Sequence, residues 1–397
     1  MMGAGTASAQ EVKVWTLTFA NDSANKAWQK IVSDYEAANP GTTIRVENRG
    51  VDEHKSALRV AAGSDQGPDI YFMWAGLGLG GEFVKAGLSL PLDKYHQQYG
   101  WGDRFLPSAA AFADLYEGGK HGVPFTFKGE AIYYNKKLFE QAGITAEPTT
   151  YDELVAAADK LKAAGIPAIT FGGTVNWHLM RLMDVLLETK CGAEKHDALM
   201  SMKADWTKEP CAADSFTELG KWTNQYVLSP FMGIDQAQSF NLFVANRAAM
   251  MLEGDWLVQQ LSESANLDDF GMFPFPTNTN RLYGFAEYHY ISTKSSNPDA
   301  AAKFLDYFTS TPVQQATLGL FSTTSVNKHV KYENLRPLDA KWVDIFNKYS
   351  AVYMNGDQAF PLDVTTEYFR VINEVASGSI DAATAASQMQ SFIAKRG

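Results

Sequence analysis

The stretch that decides the fold covers residues 122–139 and reads GVPFTFKGEAIYYNKKLF. Gly122 and Pro124 form a turn signal, and the apolar, aromatic run at residues 131–134 is rich in strand-favouring side chains. A short helix is predicted to begin at Lys136. Taken alone, these residues predict only one strand between two turns. What that strand connects must be inferred from the rest of the chain.

The bulk composition sets the class of protein. A chain of 397 residues is long for one hydrophobic core, so two domains are expected. The hydrophobic fraction of 46% and the charged fraction of 20% are ordinary for a globular protein. A net charge of −11 argues against nucleic-acid binding, which usually needs a basic face. No apolar run approaches the roughly 18 residues that a membrane helix needs.

The first ten residues and the two cysteines indicate export. Ala7-Ser8-Ala9 is a small-x-small pattern typical of signal-peptidase sites, and we interpret it as the stub of a removed export signal. A plain disordered start is the alternative. In an exported protein, Cys191 and Cys211 favour a disulfide that would contribute on the order of 3 kcal/mol. Two buried thiols remain the other interpretation.

Strands and helices alternate along the first part of the chain. Short connections between them imply parallel pairing in an open α/β sheet, and such sheets bind ligands beyond the carboxyl ends of their strands. Asn21, His54 and Trp74 follow strand ends or lie in the loops behind them, and are therefore candidate ligand contacts. Strands are predicted at residues 12–19, 43–47 and 69–74. Helices are predicted from residue 24 to a stop at residues 39–41, and at residues 53–62.

The alternation continues after the opening stretch. Thr150 and Glu153 form a predicted capping box for a helix that ends at Gly165. Trp28 and Trp342 recur at helical spacing with other apolar residues and are predicted to be core. Further strands are predicted at 168–171, from 246 to a stop at 253–254, at 271–275 and at 284–292. Further helices are predicted at 177–187, 214–227, from 255, and at 298–309, 341–349, 365–377 and 380–395.

Several landmarks occur in a specific order. They are GPDI from residue 67, GVP from 122 with YYNKKLF from 133, AAMMLEGDW from 248 and ISTKSSNPDAAAKFLDY from 291. With these motifs along nearly the whole chain, the sequence resembles the extracellular solute-binding proteins of family 1. These are the maltose-binding-protein-like carbohydrate receptors of ABC importers.

The resemblance implies an α/β fold of the periplasmic binding protein-like type II. Two discontinuous lobes would be joined by a multi-strand hinge and would close over a ligand in the cleft between them. The implied N-terminal lobe covers residues 10–124 and 288–326. The implied C-terminal lobe covers residues 125–287 and 327–397.

The resemblance also implies a set of ligand contacts. Trp256 matches the family position that stacks on sugar, with Glu253 and Asp255 as polar neighbours. Two positions depart from the family pattern: Lys128 stands where many relatives have an acid, and the second crossing reads GFAEY from residue 284 instead of a Gly-Gly-Trp-like segment. Together with His54, which is a candidate from its position near the strand ends, the full candidate set is Asn21, His54, Trp74, Thr126, Lys128, Asn176, Trp177, His178, Glu253, Asp255, Trp256, Gly284, Phe285, Ala286 and Glu287.

The same sequence allows other functional interpretations besides a sugar receptor. Glu253 and Glu287 could form the acid/base pair of a secreted carbohydrate-active enzyme. Lys128, Arg181 and His54 suggest instead a receptor of the same fold for an anionic sugar, an amino acid-like molecule or a polyol. The glycines at residues 76–81 match a dinucleotide fingerprint, but a surface turn is the preferred interpretation. The histidines lack ligand spacing, so no metal is predicted.

Together these observations predict a binding protein and not an enzyme. It would capture a mono- or short oligosaccharide and deliver it to the membrane permease subunits of an ABC transporter. We expect a periplasmic or extracellular monomer that needs no cofactor and binds no nucleic acid, with a lipid anchor at the cell surface left open.

Overall fold

The computed structural model describes residues 10–19, 21–61, 64, 66–349 and 351–396. The predicted export stub at residues 7–9 lies outside them, as does residue 62 at the end of a predicted helix. The first half of the chain contains β1 (Gln10–Leu17), α1 (Asp22–Ala38), β2 (Thr42–Arg49), α2 (Val51–Ala61), β3 (Ile70–Trp74), α3 (Gly80–Lys85), α4 (Asp93–Tyr99), α5 (Trp101–Arg104), α6 (Pro107–Ala110), a 3₁₀ turn (Ala111–Asp114), β4 (Val123–Asn135), α7 (Lys136–Gln141), α8 (Tyr151–Ala163), β5 (Ile169–Thr170) and α9 (Asn176–Met200). The second half contains α10 (Pro210–Gln225), α11 (Gln236–Val244), β6 (Met250–Gly254), α12 (Leu257–Ser264), a 3₁₀ turn (Leu267–Asp269), β7 (Phe270–Phe273), β8 (Arg281–Ile291), α13 (Pro298–Phe308), α14 (Thr311–Ala316), α15 (Pro337–Lys348), β9 (Ala351–Tyr353), α16 (Gly356–Ala359), α17 (Leu362–Ala376) and α18 (Ala382–Ala394).

The chain forms two compact units, and each is built from separate pieces of sequence. The first unit ends at Lys128 and resumes from Ala286 to Asn334. The second contains Gly129–Phe285 and Leu335–Gly397. The crossings therefore follow residues 128, 285 and 334, where the resemblance implies boundaries after residues 124, 287 and 326.

The first unit contains a sheet with the strand order β2-β1-β3-β8. β1 pairs in parallel with β2 along its whole length and with β3 at Val14↔Ile70. β3 pairs with β8 in the antiparallel direction, from Ile70↔Ile291 to Trp74↔Glu287. Trp28 of α1 is buried, as predicted, and its indole stacks on His289 with ring centroids 5.5 Å apart.

The second unit has its own strands and the larger set of helices. The end of β4 pairs in the antiparallel direction with β6 and with β7, while β5 pairs in parallel with β6. Helices α9, α10 and α17 enclose an apolar core against these strands. Trp342 of α15 is buried, as predicted, and donates its indole N–H to Tyr133 Oη at 2.7 Å.

The predicted parallel pairing of the first three strands is confirmed, because β1 pairs in parallel with both β2 and β3. The strands at the crossings are antiparallel instead: β8 runs antiparallel to β3, and β4 runs antiparallel to both β6 and β7. The predicted strand at residues 131–134 is too short, because β4 extends over Val123–Asn135. Lys128 and Glu130 interrupt the apolar pattern there. Both are nevertheless buried, because they form ion pairs inside the unit to which each belongs.

Helix boundaries differ most at α9. The capping box of α8 is confirmed, since Thr150 Oγ1 accepts from Glu153 N and the Glu153 carboxylate accepts from Thr150 N. The helix predicted at residues 177–187 instead runs over Asn176–Met200, with a kink at Gly192, whose φ of 69° suits glycine. Next to the kink, Cys191 forms a disulfide with Cys211 at the start of α10.

Candidate functional site

Two neighbouring strands and the start of one helix bring a charged cluster together in the second unit. Glu130 and Glu253 lie on the neighbouring strands β4 and β6, in the register Ala131↔Glu253. Arg181 lies in the second turn of α9 and extends between the two carboxylates. We call Arg181, Glu130 and Glu253 the arginine cluster. All three side chains are almost completely excluded from solvent, with exposed fractions of 6%, 0% and 0%.

The arginine cluster is held by short charged contacts. Arg181 Nη1 donates to Glu253 Oε2 at 2.5 Å, and Arg181 Nε lies 3.0 Å from Glu130 Oε2. Gln236 donates to the second oxygen of Glu253 at 2.7 Å, and Asn355 donates to Glu130 Oε1 at 2.9 Å. Burial disfavours the charged form of Arg181, but the two carboxylates outweigh it and raise the pKa of the guanidinium. The guanidinium is therefore a fixed positive charge.

His178 completes the buried side of the cluster as a neutral ring. Its Nδ1 accepts from Gly172 N at 2.9 Å, which leaves the proton on Nε2, 3.5 Å from Glu253 Oε1. Burial, followed by the charge of Arg181, holds the pKa of His178 well below its usual value. At Gly172 an added Cβ would lie 2.4 Å from the backbone of Asp235, so only glycine permits this close approach.

Two indoles lie next to the guanidinium. The Cζ of Arg181 lies 4.7 Å from the centre of the Trp177 ring and 5.1 Å from that of Trp256. Trp256 follows β6 and precedes α12, and its ring lies over Gly254 and 5.8 Å from the ring of Phe285. Both indoles are partly exposed, unlike the cluster beneath them.

The first unit holds a smaller polar group near the crossing residues. Thr126 Oγ1 donates to Glu287 Oε2, and Lys128 Nζ lies 4.0 Å from the same oxygen. Lys128 also donates to the carbonyl oxygen of Phe321. The side chain of Lys128 is 4% exposed and that of Glu287 is 12% exposed. The positive charge of Lys128 is therefore compensated by a neighbouring carboxylate.

Other predicted contacts of the first unit have structural partners. Asn21 caps α1, where its Oδ1 accepts from Ala24 N at 2.7 Å. His54 is fully buried, and its Nε2 is bonded to the Phe72 carbonyl at 2.7 Å, so its imidazole belongs to the core. Trp74 is partly exposed at the end of β3, with Lys55 Nζ 4.8 Å from its ring centre.

Of the remaining predicted contacts, one residue is exposed to solvent and the others are buried. Asn176 is exposed at the start of α9 and accepts from Asn373 Nδ2 at 2.7 Å. Asp255 is buried, and its backbone N–H donates to the Gly129 carbonyl at 3.0 Å. Gly284, Phe285 and Ala286 are buried along β8. The predicted residues that the second unit brings together are thus Trp177, His178, Glu253 and Trp256.

Sequence reasoning missed part of this assembly. Glu130 and Gln236 were not predicted, and Arg181 was considered only as support for an anionic ligand. One signal was available for Arg181, because it follows Trp177 by four positions and so shares its helix face. No local sequence pattern indicates that Glu130 belongs to the cluster, because its partner Arg181 lies on a helix that is distant in the chain.

Glu130 gives the cluster a pH dependence that can be measured. Burial raises the pKa of Glu130 from 4.5 to about 7, against the opposing effects of Arg181 and Asn355. The folded protein therefore keeps a proton on Glu130 that the unfolded chain releases near pH 4.5, so this contribution to stability falls as pH rises from 4.5 to about 7. Glu130→Gln should remove a slope of at most about 1.4 kcal/mol per pH unit. Urea unfolding of both proteins at several pH values measures it, and parallel curves would contradict the assignment.

Two further observations bear on the kind of protein. Within the described ranges, no helix is both long and apolar enough to cross a membrane. Among the same residues, no group of three or more histidine, cysteine, aspartate or glutamate side chains is arranged to hold a metal ion.

An α/β chain in two discontinuous units, with partly exposed tryptophans at strand and helix ends, has the architecture of a solute-binding receptor. The comparison with protein families agrees: residues 20–315 match the model of the bacterial extracellular solute-binding proteins. The chain belongs to that family. Its fold is the two-lobed fold of the maltose-binding-like solute receptors.

Individual relatives are distant in sequence. A maltotriose-binding protein of Pyrococcus abyssi is 26% identical over 306 residues, which cover 74% of this chain and 62% of that protein. A binding protein of Brucella abortus is 26% identical over 317 residues, covering 77% of this chain and 73% of the other. Among solved structures, a chitin oligosaccharide binding protein matches with a TM-score of 0.88 at 23% identity, and the match covers 98% of both chains.

Proposed function

We propose that this protein captures a neutral carbohydrate outside the cytoplasm and delivers it to the permease of an ABC transporter. The observation that carries the proposal is the pair of partly exposed indoles, Trp177 and Trp256, which both lie next to the buried guanidinium of Arg181. Membership in the extracellular solute-binding family supports the location and the receptor role.

Sugar rings suit such a surface. A pyranose has an apolar C–H face and a rim of hydroxyl groups, so it binds to flat aromatic side chains with a few polar groups beside them. Trp256 lies at the turn after β6 and offers a large ring with few internal degrees of freedom. We propose that Trp256 and Trp177 stack on the ligand, with Asn176 and Asp255 as polar neighbours.

The names of relatives support the same ligand class. One relative is a maltotriose-binding protein, and one solved neighbour binds chitin oligosaccharide. Both ligands are short chains of pyranose rings, which present the apolar face that an indole requires.

Two charge contacts favour a neutral ligand over an anionic one. Lys128 is neutralised by Glu287, and Arg181 is neutralised by Glu253, with Glu130 beside its Nε. A carboxylate or phosphate on the ligand would compete with ion pairs that already exist. From the first unit, we propose Trp74, Thr126, Lys128 and Glu287 as ligand contacts through hydrogen bonds and ring contact. His54 is left out because its imidazole has no exposed surface and is bonded to the Phe72 carbonyl inside the core.

We also propose that the protein carries out no reaction on its ligand. In the rival enzyme, Glu253 would donate or accept a proton. Its oxygens are instead engaged by Arg181 and Gln236 in a fully buried position. Such a carboxylate serves as a structural partner. The protein would act as a monomer and hand over an unmodified sugar.

A thermal-shift panel tests the proposal. The probes are maltotriose, chitotriose, xylotriose, raffinose and galactose, with galacturonic acid as the anionic probe and glutamate as the amino-acid probe. A ligand at about one hundred times its Kd should stabilise the fold by roughly 2.7 kcal/mol, or about 3 °C in Tm for a chain of this length. We expect at least one neutral sugar to reach that shift.

The same samples separate the rival functions. Chromatography after overnight incubation should recover the sugar unchanged, and release of a product that Glu253→Gln abolishes would identify an enzyme. A shift with galacturonic acid or glutamate alone would overturn the neutral-sugar proposal. No shift with any probe would contradict the proposed ligand class.

A further inference from the structure

The guanidinium of Arg181 contacts both proposed stacking residues at once. Its Cζ lies within 4.7 Å of one ring centre and 5.1 Å of the other, inside the range of cation–π attraction. Trp177 precedes Arg181 by one helical turn on α9, whereas Trp256 comes from the turn after β6. A single side chain therefore links two indoles that belong to different elements.

Arg181 cannot easily move in response to the indoles. Glu253 holds Nη1, Glu130 faces Nε, and Gln236 fixes the second oxygen of Glu253. Charge-assisted contacts of this kind fix both distance and plane. The geometry of the indoles is thus set from the buried side, by groups that a ligand does not need to touch.

We propose that Arg181 is a positioning residue that sets the spacing and tilt of Trp177 and Trp256, and thereby the affinity for a sugar ring. This inference rests on the proposed function for its ligand. The physical reason is preorganisation: rings fixed before binding lose less conformational freedom when the sugar arrives. A ring held loosely would bind the same sugar more weakly without the loss of any direct contact.

A lysine at this position would not do the same. Arginine is a planar fork that can face an indole and pair with two carboxylates, whereas lysine is a point charge on a flexible chain. Arg181→Lys keeps the positive charge between Glu130 and Glu253 but loses the contact of the planar guanidinium with the indole rings. The variant therefore distinguishes an effect of the guanidinium's geometry from an effect of its charge.

The first arm of the test uses the protein without ligand. Indole N–H signals in ¹⁵N-labelled protein, assigned by single tryptophan-to-phenylalanine variants, should shift or broaden for Trp177 and Trp256 in Arg181→Lys. Signals of the buried Trp206 and Trp222 should stay in place. Unchanged signals for Trp177 and Trp256 would overturn the proposal.

Arg281→Lys is the matched control. Arg281 is also a poorly exposed arginine of the second unit, paired with Glu188 at 2.6 Å and Asp197 at 2.7 Å, but its guanidinium faces Tyr353 at 5.4 Å. It should leave the signals of Trp177 and Trp256 unchanged. Equal changes from both variants would show a general loss of packing, against a specific role for Arg181.

The second arm measures binding of the panel sugar that gives the largest shift. Arg181→Lys should raise the Kd for this sugar at least tenfold, whereas Arg281→Lys should leave it unchanged. Equal affinity of Arg181→Lys and the native protein would overturn the role of Arg181 in recognition. If Arg181→Lys does not fold, Glu130→Gln replaces it, because this variant weakens only the contact at Arg181 Nε. It should shift the indole signals of Trp177 and Trp256 by a smaller amount. If no panel sugar binds the native protein, the proposed function fails while the indole signals still decide whether Arg181 positions the rings.

Discussion

Trp256→Ala is expected to raise the Kd for the bound sugar by roughly 30- to 1,000-fold, a loss of about 2–4 kcal/mol. The ring is partly exposed and lies beside Arg181 and Phe285, so its removal takes away contact area for the ligand while most of the core remains. Isothermal titration with the best probe of the sugar panel measures the change. An unchanged Kd would remove Trp256 from the site.

Two further variants make this result specific. Gly254→Ala keeps the Trp256 side chain, but its Cβ would lie 1.8 Å from an indole carbon, so the ring must shift and affinity should again fall. Tyr332→Ala removes a partly exposed aromatic side chain of the first unit that is not among the proposed contacts, and it should leave the Kd unchanged. Equal losses from all three variants would indicate a nonspecific effect.

Arg181→Met is expected to lower the free energy of unfolding by about 3–5 kcal/mol, because it leaves the buried carboxylate of Glu253 without its cation. Glu130 and Glu253 have exposed fractions of 0%, so water cannot take over the role of the guanidinium. Urea unfolding with the disulfide kept oxidised measures the loss. The double variant Arg181→Met/Glu253→Gln should recover part of it, since it removes the unpaired charge of Glu253.

Arg370→Met is the surface counterpart. Arg370 pairs with Glu367 at 2.5 Å and Glu374 at 2.7 Å, but it is 42% exposed on α17. Exposed ion pairs contribute about 0–1 kcal/mol, so the expected loss is small. A loss for Arg181→Met no larger than that for Arg370→Met would show that the arginine cluster adds little to stability.

Local chemistry in the sequence predicted the elements well. The capping box at Thr150 and Glu153, the buried Trp28 and the strand before Glu253 follow from nearby residues alone. The direction of the strands at the crossings did not follow from composition, because apolar and aromatic side chains suit parallel and antiparallel pairing alike. The antiparallel pairing of β3 with β8 therefore had no signal in either strand.

The candidate site was predicted only where its residues lie near recognisable turns. Trp256, Glu253 and Trp177 were named for that reason. Glu130 was not, because its burial depends on Arg181, and nothing near either residue in the chain reveals the pairing. His54 shows the opposite error: a polar residue near strand ends was expected to contact ligand, but its ring is a hydrogen-bonded member of the core.

The interleaved order of the two units has a consequence for synthesis. A nascent chain that has reached residue 285 already carries β1, β2 and β3 but lacks the residues that pair with Ile70–Trp74. One edge of β3 therefore stays unpaired until β8 has left the ribosome. A fragment that ends at Lys128 would keep that edge exposed permanently and is a poor choice for expressing the first unit alone.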